Sequence, residues 1–325
     1  MRYYEIAITS PAPDSKVTTY SSLNTDGSND GGALRVVLDI PFFNASTPAG
    51  LAYIKIFGVS YKDIQQANLL RNSTIVIKGG MTLGLPLANP QQRGIILSGS
   101  IYQAFGNWQG NEISLDIIAS PRFGSPTDPI NLSYNWEAGT TLENAVRKTL
   151  QIAYGSDVGI SGGFLNSLVT FSAVPYTYQD LQQFSMWVTK VSKDINKDPN
   201  YIGAQITQTP QGFYLYDASV KINPTELKFT DFIGNATWTG FNVINFKLVL
   251  RGDLAVGDYI TMPPRSNIVN VVNSFTQFRD NISFQNQFII SRIRHIGDSR
   301  QSSADSWCSV IDAILIPTNS TQVIP

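Results

Sequence analysis

At 325 residues the chain can hold two or three compact domains, each with its own core. A net charge of −1 without any basic tract excludes electrostatic binding of nucleic acid, and a single cysteine, Cys308, excludes an internal disulfide or a Cys-rich zinc site. Charged residues are only 14%, against about a quarter in ordinary domains; either a neutral polar surface is tolerated, or much of it faces other subunits.

The first third reads as β. Residues 10–33 are polar and rich in Ser, Asp and Gly, which predicts a long mobile loop after the first strand. "LRVVLDI" (34–40) then sets Leu34, Val36, Leu38 and Ile40 on one face by strict alternation. Further strands are expected at 53–57, 73–80, 94–102 and 111–118, each rich in Ile, Leu and Val and bounded by Gly, Asn or Pro. Between the first two of these, Ser60 followed by Asp63 predicts one short capped helix over "SYKDIQQANLL".

The middle third changes period. Thr140 and Glu143 have the spacing of a capping box, and Leu142, Ala145, Val146, Thr149, Leu150 and Ala153 follow at helical spacing up to Gly155. A second helix is expected from about Thr177, with Leu181, Phe184, Trp187, Val188, Val191 and Ile195 as its buried stripe. Residues 204–219 read as a hairpin with Pro210-Gln211-Gly212 in the turn. Helices beside short strands make a small α+β domain over 122–228.

The last third returns to β at 241–250, 258–262, 287–295 and 306–316. Pro263-Pro264 ends one strand, and residues 265–285 are expected as a loop exposing Phe275 and Phe278. Stretches 94–119 and 287–314 look alike. Ile95-Ile96-Leu97-Ser98 matches Phe288-Ile289-Ile290-Ser291, a Gly-containing turn follows, and an alternating strand carries one acid, Asp116 or Asp312. Starts of the paired strands lie 17 and 19 positions apart. Two similar β-modules flanking an insert is one reading; chance likeness of two hairpins is the other.

Catalytic signals are sparse. "RIRHIGDSR" (292–300) holds the one histidine, His295, among Arg292, Arg294 and Arg300, with Asp298 three places on. A catalytic histidine needs a nucleophile or substrate on one nitrogen and an orienting acid on the other. The alternation here marks the end of a strand, with Ile296-Gly297-Asp298 turning the chain, so a structural corner is expected. No Gly-x-Ser-x-Gly elbow, phosphate-binding loop, His-Glu-x-x-His or ligand cluster is present. "SGGFLNS" (161–167) lacks the basic residue that phosphate binding would need, and the 24 acids form no recognisable pair for glycoside hydrolysis. No catalytic, cofactor-binding or metal-binding residue is assigned. Trp187 and Trp307 are expected in cores, and Trp108, in "GNWQG", is the best candidate for an exposed contact.

The N-terminus, "MRYYEIAITSPAPDSK", lacks the apolar core of a signal peptide, and no run of about 18 apolar residues predicts a membrane span. Both fit folding in a reducing cytoplasm, and the six Asn-x-Ser/Thr sequons are read as chance.

The order of these segments resembles the central hub protein of bacteriophage tail baseplates. The pieces that carry the likeness are "YIKIFGVSYKDIQQANLLRNSTIVIKGG", "GIILSGSIYQAFGNWQGNEISLDIIAS", "NWEAGTTLENAVRKTL" and "FIISRIRHIGDSRQSSADSWCSVIDAI". The family is also similar to the hub part of type VI secretion spike proteins. The likeness covers roughly 1–316, and its most specific piece is His295, Gly297, Asp298, Arg300 and Trp307. It implies a mainly β fold with an α+β insert: β-barrel-like tube domains over 1–121 and 229–325 flanking the insert at 122–228. It further implies a non-enzymatic homotrimer with no cofactor. Two like domains in each of three chains would adapt a six-fold tail tube protein to a three-fold central spike protein. Tape measure and baseplate wedge proteins are further implied partners, in a virion tail baseplate assembled in the host cytoplasm. No neck, needle or lysozyme segment follows the last strand, so spike and wall-cutting activity are expected in other chains. The alternatives are a carbohydrate- or receptor-binding β protein of a phage tail, which would use Trp108, Phe275 and Phe278, and a hydrolase built near His295.

Overall fold

The computed structural model describes residues 1–11, 15–43, 46, 51–83, 89–121, 128–170, 172–199, 201–209, 211–219, 223–240, 242–263 and 287–316. The first part of the chain forms strands β1 (Arg2–Thr9), β2 (Val17–Ser21), β3 (Val36–Phe43) and β4 (Ala52–Phe57), helix α1 (Tyr61–Gln65), then β5 (Thr74–Met81), β6 (Gly94–Gln109) and β7 (Glu112–Pro121). The middle part holds β8 (Pro129–Trp136), α2 (Leu142–Tyr154), β9 (Gly159–Gly162), β10 (Val174–Asp180), α3 (Leu181–Asn196), β11 (Gln205–Thr209) and β12 (Gly212–Tyr216). The last part holds β13 (Thr225–Glu226), β14 (Thr237–Trp238), β15 (Val243–Val249), β16 (Tyr259–Thr261), β17 (Gln287–Asp298) and β18 (Trp307–Leu315).

The molecule is mainly β, as the alternating patterns predict. Ile54 and Ile56 on β4, Ile75 and Ile77 on β5, and Leu115 and Ile117 on β7 are wholly buried, so strict alternation turns one face of each strand into a common core. Two barrel-like domains were expected. Among the described residues the strands instead join in one open sheet of 13, ordered β14-β15-β18-β17-β3-β4-β7-β6-β5-β1-β2, with β13 and β16 branching beside β17. Its far end folds back through side chains: Arg2 on β1 donates to the carbonyls of Asp298, Gln301 and Ser303, and the Tyr4 hydroxyl donates to Leu34.

Two halves of this sheet have the same construction. In chain order β3, β4, β5, β6 and β7 lie side by side as β3-β4-β7-β6-β5, and β14 to β18 lie as β14-β15-β18-β17-β16. Every neighbouring pair in both is antiparallel. Each half has a one-residue bulge on its fourth strand, after Ile101 in β6 and after Ile290 in β17. Just before the bulge the backbone bonds match: Asn72 N–H to Ile101 and Ile101 N–H to Ser73 in one half, Gly257 N–H to Ile290 and Ile290 N–H to Asp258 in the other. Asn72 and Gly257 both take positive φ, 64° and 95°, to make that turn. The frame therefore equates Ile101 with Ile290 and Ala119 with Ala313. Both matches read from the sequence slip, Leu97 with Ile290 and Asp116 with Asp312. Asp312 stands where Ile118 stands, and Asp116 where Val310 stands.

The middle part packs α2 and α3 against the three-stranded sheet β11-β12-β9 and the pair β8-β10, around Leu142, Val146, Leu150, Leu181, Phe184, Val188, Phe213 and Leu215. Local caps differ from the expectations in detail. The α2 N-cap is Thr141, whose hydroxyl accepts from Asn144 N–H, while Glu143 binds Arg147 and the Phe164 amide. The α3 N-cap is Asp180, four residues into what was expected as helix, because 174–180 is a strand. The Ser60 cap and its Asp63 partner form as predicted. The polar stretch 10–33, expected as a mobile loop, contains the edge strand β2. The expected aromatic loop with Phe275 and Phe278, and Pro210 of the expected turn, lie outside the described residues.

Candidate functional site

His295 lies inside the sheet, 2% exposed. Its Nδ1 is 2.9 Å from the Ser309 hydroxyl on β18, and the edge of Phe42 meets its ring at 6.3 Å between centroids. Ser309 Oγ already accepts the Arg251 amide, so its own proton is free to go to Nδ1. Burial lowers the imidazole pKa to about 3, which leaves the ring neutral. A serine and histidine in contact are half of a hydrolytic site, but Ser309 is wholly buried and Asp298 faces elsewhere. Among the described residues no acid orients the ring, and both side chains are shut away from solvent.

The turn expected at Ile296-Gly297-Asp298 comes later: these three residues continue β17 in register with β3, and the chain turns at Ser299 and Arg300. Asp298 accepts from Nε and Nη2 of Arg35, at 3.2 and 2.7 Å, and from the Arg300 amide. Burial raises the Asp298 pKa, but the Arg35 bond and charge overcome it and hold the carboxyl below its ordinary value. Arg300 donates to the carbonyls of Ala33 and Gly31. Gly297 has no room for a side chain: a Cβ would stand 2.6 Å from the Trp307 ring and 2.8 Å from Leu38. Trp307 is buried and gives its indole N–H to the Gly80 carbonyl at 2.8 Å. His295, Gly297, Asp298, Arg300 and Trp307 thus come together, and what they do is lock β17 and β18 onto β3 and its preceding loop and onto β5. The remaining arginines are tied across strands, Arg292 to Asp312 at 3.3 Å and Arg294 to Asp39 at 2.7 and 2.5 Å.

The two half-sheets are joined at two places. β17 and β3 pair over seven residues, Arg292–Asp298 against Val37–Phe43. A second contact lies where the loop after β15 meets the β5–β6 connection. There Gly252 N–H donates to the Gln92 carbonyl, and the Gln92 amide donates to Asp231 at 3.1 Å. Asp231 in turn binds Arg251, which is 4% exposed and also holds Asp253. No alternation or spacing signal marks this network in the sequence, because its members come from three separate loops.

Other sequence candidates resolve as follows. "SGGFLNS" serves as a strut, with the Gly163 amide on Leu215 and the Leu165 amide on Asp217. Trp108 is 61% exposed and meets Tyr61 edge to face at 5.9 Å, while its N–H is taken by the Gly110 carbonyl. A cavity of about 630 Å³ opens between Arg2, Tyr4, Leu34, Met81 and Arg300. Among the described residues no three His, Cys, Asp or Glu side chains cluster as a metal site, and no helix is long and apolar enough to cross a membrane.

No family model matches the chain, and no curated protein matches it in sequence. Solved structures do resemble it. The 43 kDa tail protein of prophage MuSo2 from Shewanella oneidensis aligns over 96% of this chain and 98% of its own, with TM-score 0.54 and 8% identity. A tail protein from Neisseria meningitidis MC58 aligns over 97% of this chain and 96% of its own, at TM-score 0.48 and 9% identity. The E. coli c3393 protein aligns over 87% of this chain and 73% of its own, at TM-score 0.47 and 13% identity. It is described as a type VI secretion component structurally similar to the T4 tail proteins gp27 and gp5. The chain shares the fold of the MuSo2 tail protein from end to end.

Proposed function

We propose that this chain is a structural protein of a phage-type tail, a homotrimeric hub that adapts a six-fold tail tube to a three-fold central spike. The observation that carries the reading is the internal repetition: two half-sheets with one strand order, one bulge position and one left-handed turn residue at the same place. A chain with two like modules offers six like positions when three copies close a ring. The division into tube domains at 1–121 and 229–325 with an insert at 122–228 belongs to this reading. So do a place in the virion tail, partners in the tube and spike proteins, and the absence of catalysis. The end-to-end likeness to the MuSo2 tail protein supports it.

Light scattering on the purified chain tests the reading. Three chains per particle is the expected mass, with pseudo-six-fold rings in electron micrographs. A stable single chain at all concentrations overturns it. The exposed Trp108–Tyr61 pair favours a second reading, a carbohydrate-binding tail protein; a glycan titration that quenches Trp108 fluorescence would support that one.

A further inference from the structure

The seam inside the chain has an unfilled counterpart at the chain's own edges. After its bulge at Ser291, β17 turns one edge toward β3 and pairs with it from Arg292 onward. β6 has the same bulge at Tyr102, and β5 pairs with it only as far as Ser100. From Gln103 to Gln109, β6 is bound by β7 on one side, and among the described residues no strand occupies the other. At the opposite end of the sheet, β14 is the counterpart of β3, and among the described residues it ends the strand order with no neighbour beyond it.

Neither edge carries the charge or proline that usually guards it, although β14 is short and α1 packs on β6 at Gly106. Exposed edges are normally guarded by charge or proline, yet residues 94–111 and 232–246 contain no charged residue and no proline. The bulge is not a guard here, because the same bulge in β17 opens the stretch that pairs with β3.

Side-chain sizes are complementary as well. Within the chain, Gly297 on β17 stands opposite Leu38 on β3, and Trp307 fills the space beside them. The matching positions are Trp108 on β6 and Ala236 before β14. The large residue has moved to the other strand and the small one to its partner. Trp108 is 61% exposed in the single chain, a cost that a covering strand removes.

We propose that Gln103–Gln109 of one copy pairs antiparallel with 235–239 of the next copy, repeating between chains the β17–β3 seam. The pairing sets Asn107 opposite Thr237, as Ile296 stands opposite Asp39. Three such joints alternate with three internal seams and close a continuous sheet around the ring. This rests on the ring reading above.

The test is a double variant, Asn107→Cys with Thr237→Cys, oxidised mildly and run without reductant, beside light scattering of the same sample. Directly opposed cysteines lie within disulfide reach, and the native Cys308 is buried. The expected result is a covalent ladder of two and three chains that stops at three and collapses on reduction. Asn107→Cys with Thr239→Cys, two residues out of register, and each single variant should give at least tenfold less. A trimer without cross-linking, or with more in the shifted pair, overturns the proposed joint and leaves the ring reading standing. A single chain by light scattering with no ladder overturns both.

Discussion

A Cβ placed on Gly94 would collide with the carbonyl oxygen of Gly252, so these two glycines meet backbone to backbone. The contact joins the start of β6 to the loop after β15, where Leu250 N–H also donates to the Trp307 carbonyl. Gly252 N–H reaches the Gln92 carbonyl across the same gap. Gly94→Ala is therefore expected to push the half-sheets apart and cost about 1–3 kcal/mol, the range for overpacking. Urea unfolding of Gly94→Ala measures this; a loss below about 0.5 kcal/mol would show that the two backbones separate freely.

Much of the sheet is legible in the sequence because its strands bury one face. Val36, Leu38 and Ile40 alternate with half-exposed neighbours, and so do Ile54 and Ile56. What is not legible is whatever lacks such a face. β2 has no buried residue in "VTTYS", so composition reads it as loop, and only its pairing with β1 makes it a strand. The Asp180 cap was missed because the apolar spacing begins at Leu181 while "VPYTYQD" carries no strong signal of its own. The repeat was visible but slipped, since the one apolar triplet of β6, Ile95-Ile96-Leu97, lies ahead of the bulge at Tyr102 while that of β17 abuts its own, and a bulge leaves no trace in residue type. Asn72 and Gly257 mark the true frame, and they share only a backbone conformation. At the corner the roles divide. Trp307 was legible as a core residue, but the turn was read three residues early because Gly297 and Asp298 pair with β3, and Arg2 and Arg35, from far along the chain, left no signal.

His295 makes stability depend on acid. The unfolded imidazole takes a proton near pH 6.5, and the buried one only near 3. Between those values the unfolded chain binds more protons, so stability is full above about 6.5 and falls as pH falls toward 3. The loss expected from this ring alone is about 3 kcal/mol by pH 4. Asp298, held below its ordinary value, adds a loss of the same sign at lower pH. His295→Gln removes the first contribution. Its unfolding midpoint should be lower than wild type at pH 7 but should change less between pH 7 and 4. An unchanged slope would mean that the ring takes up its proton in the folded chain.

Arg251 and Asp231 form a buried pair at 3.1 Å, and the Gln92 amide extends it to the first half-sheet. Asp231→Ala leaves the guanidinium buried with Asp253 alone and should cost about 3–5 kcal/mol. Gln92→Ala removes one hydrogen bond to a charged group, worth about 1.5–3 kcal/mol. Because both act on the same carboxylate, the double variant should be less harmful than the two losses added. Strict additivity in equilibrium unfolding would show that the two sides of this contact are not coupled.

Trp108 separates the assembly reading from the sugar-binding one. Its ring is exposed, its N–H is satisfied by Gly110, and Tyr61 is its neighbour. Trp108→Ala should therefore leave the unfolding of a single chain within about 0.5 kcal/mol of wild type. If the ring is covered by the next copy at the Ala236 position, it is the kind of aromatic anchor whose truncation costs about 2 kcal/mol or more, and self-association should weaken at least tenfold. Analytical ultracentrifugation across a concentration series reads the shift directly. Unchanged association, with loss of binding to a glycan that the wild type retains, would transfer the residue from the joint to a saccharide surface.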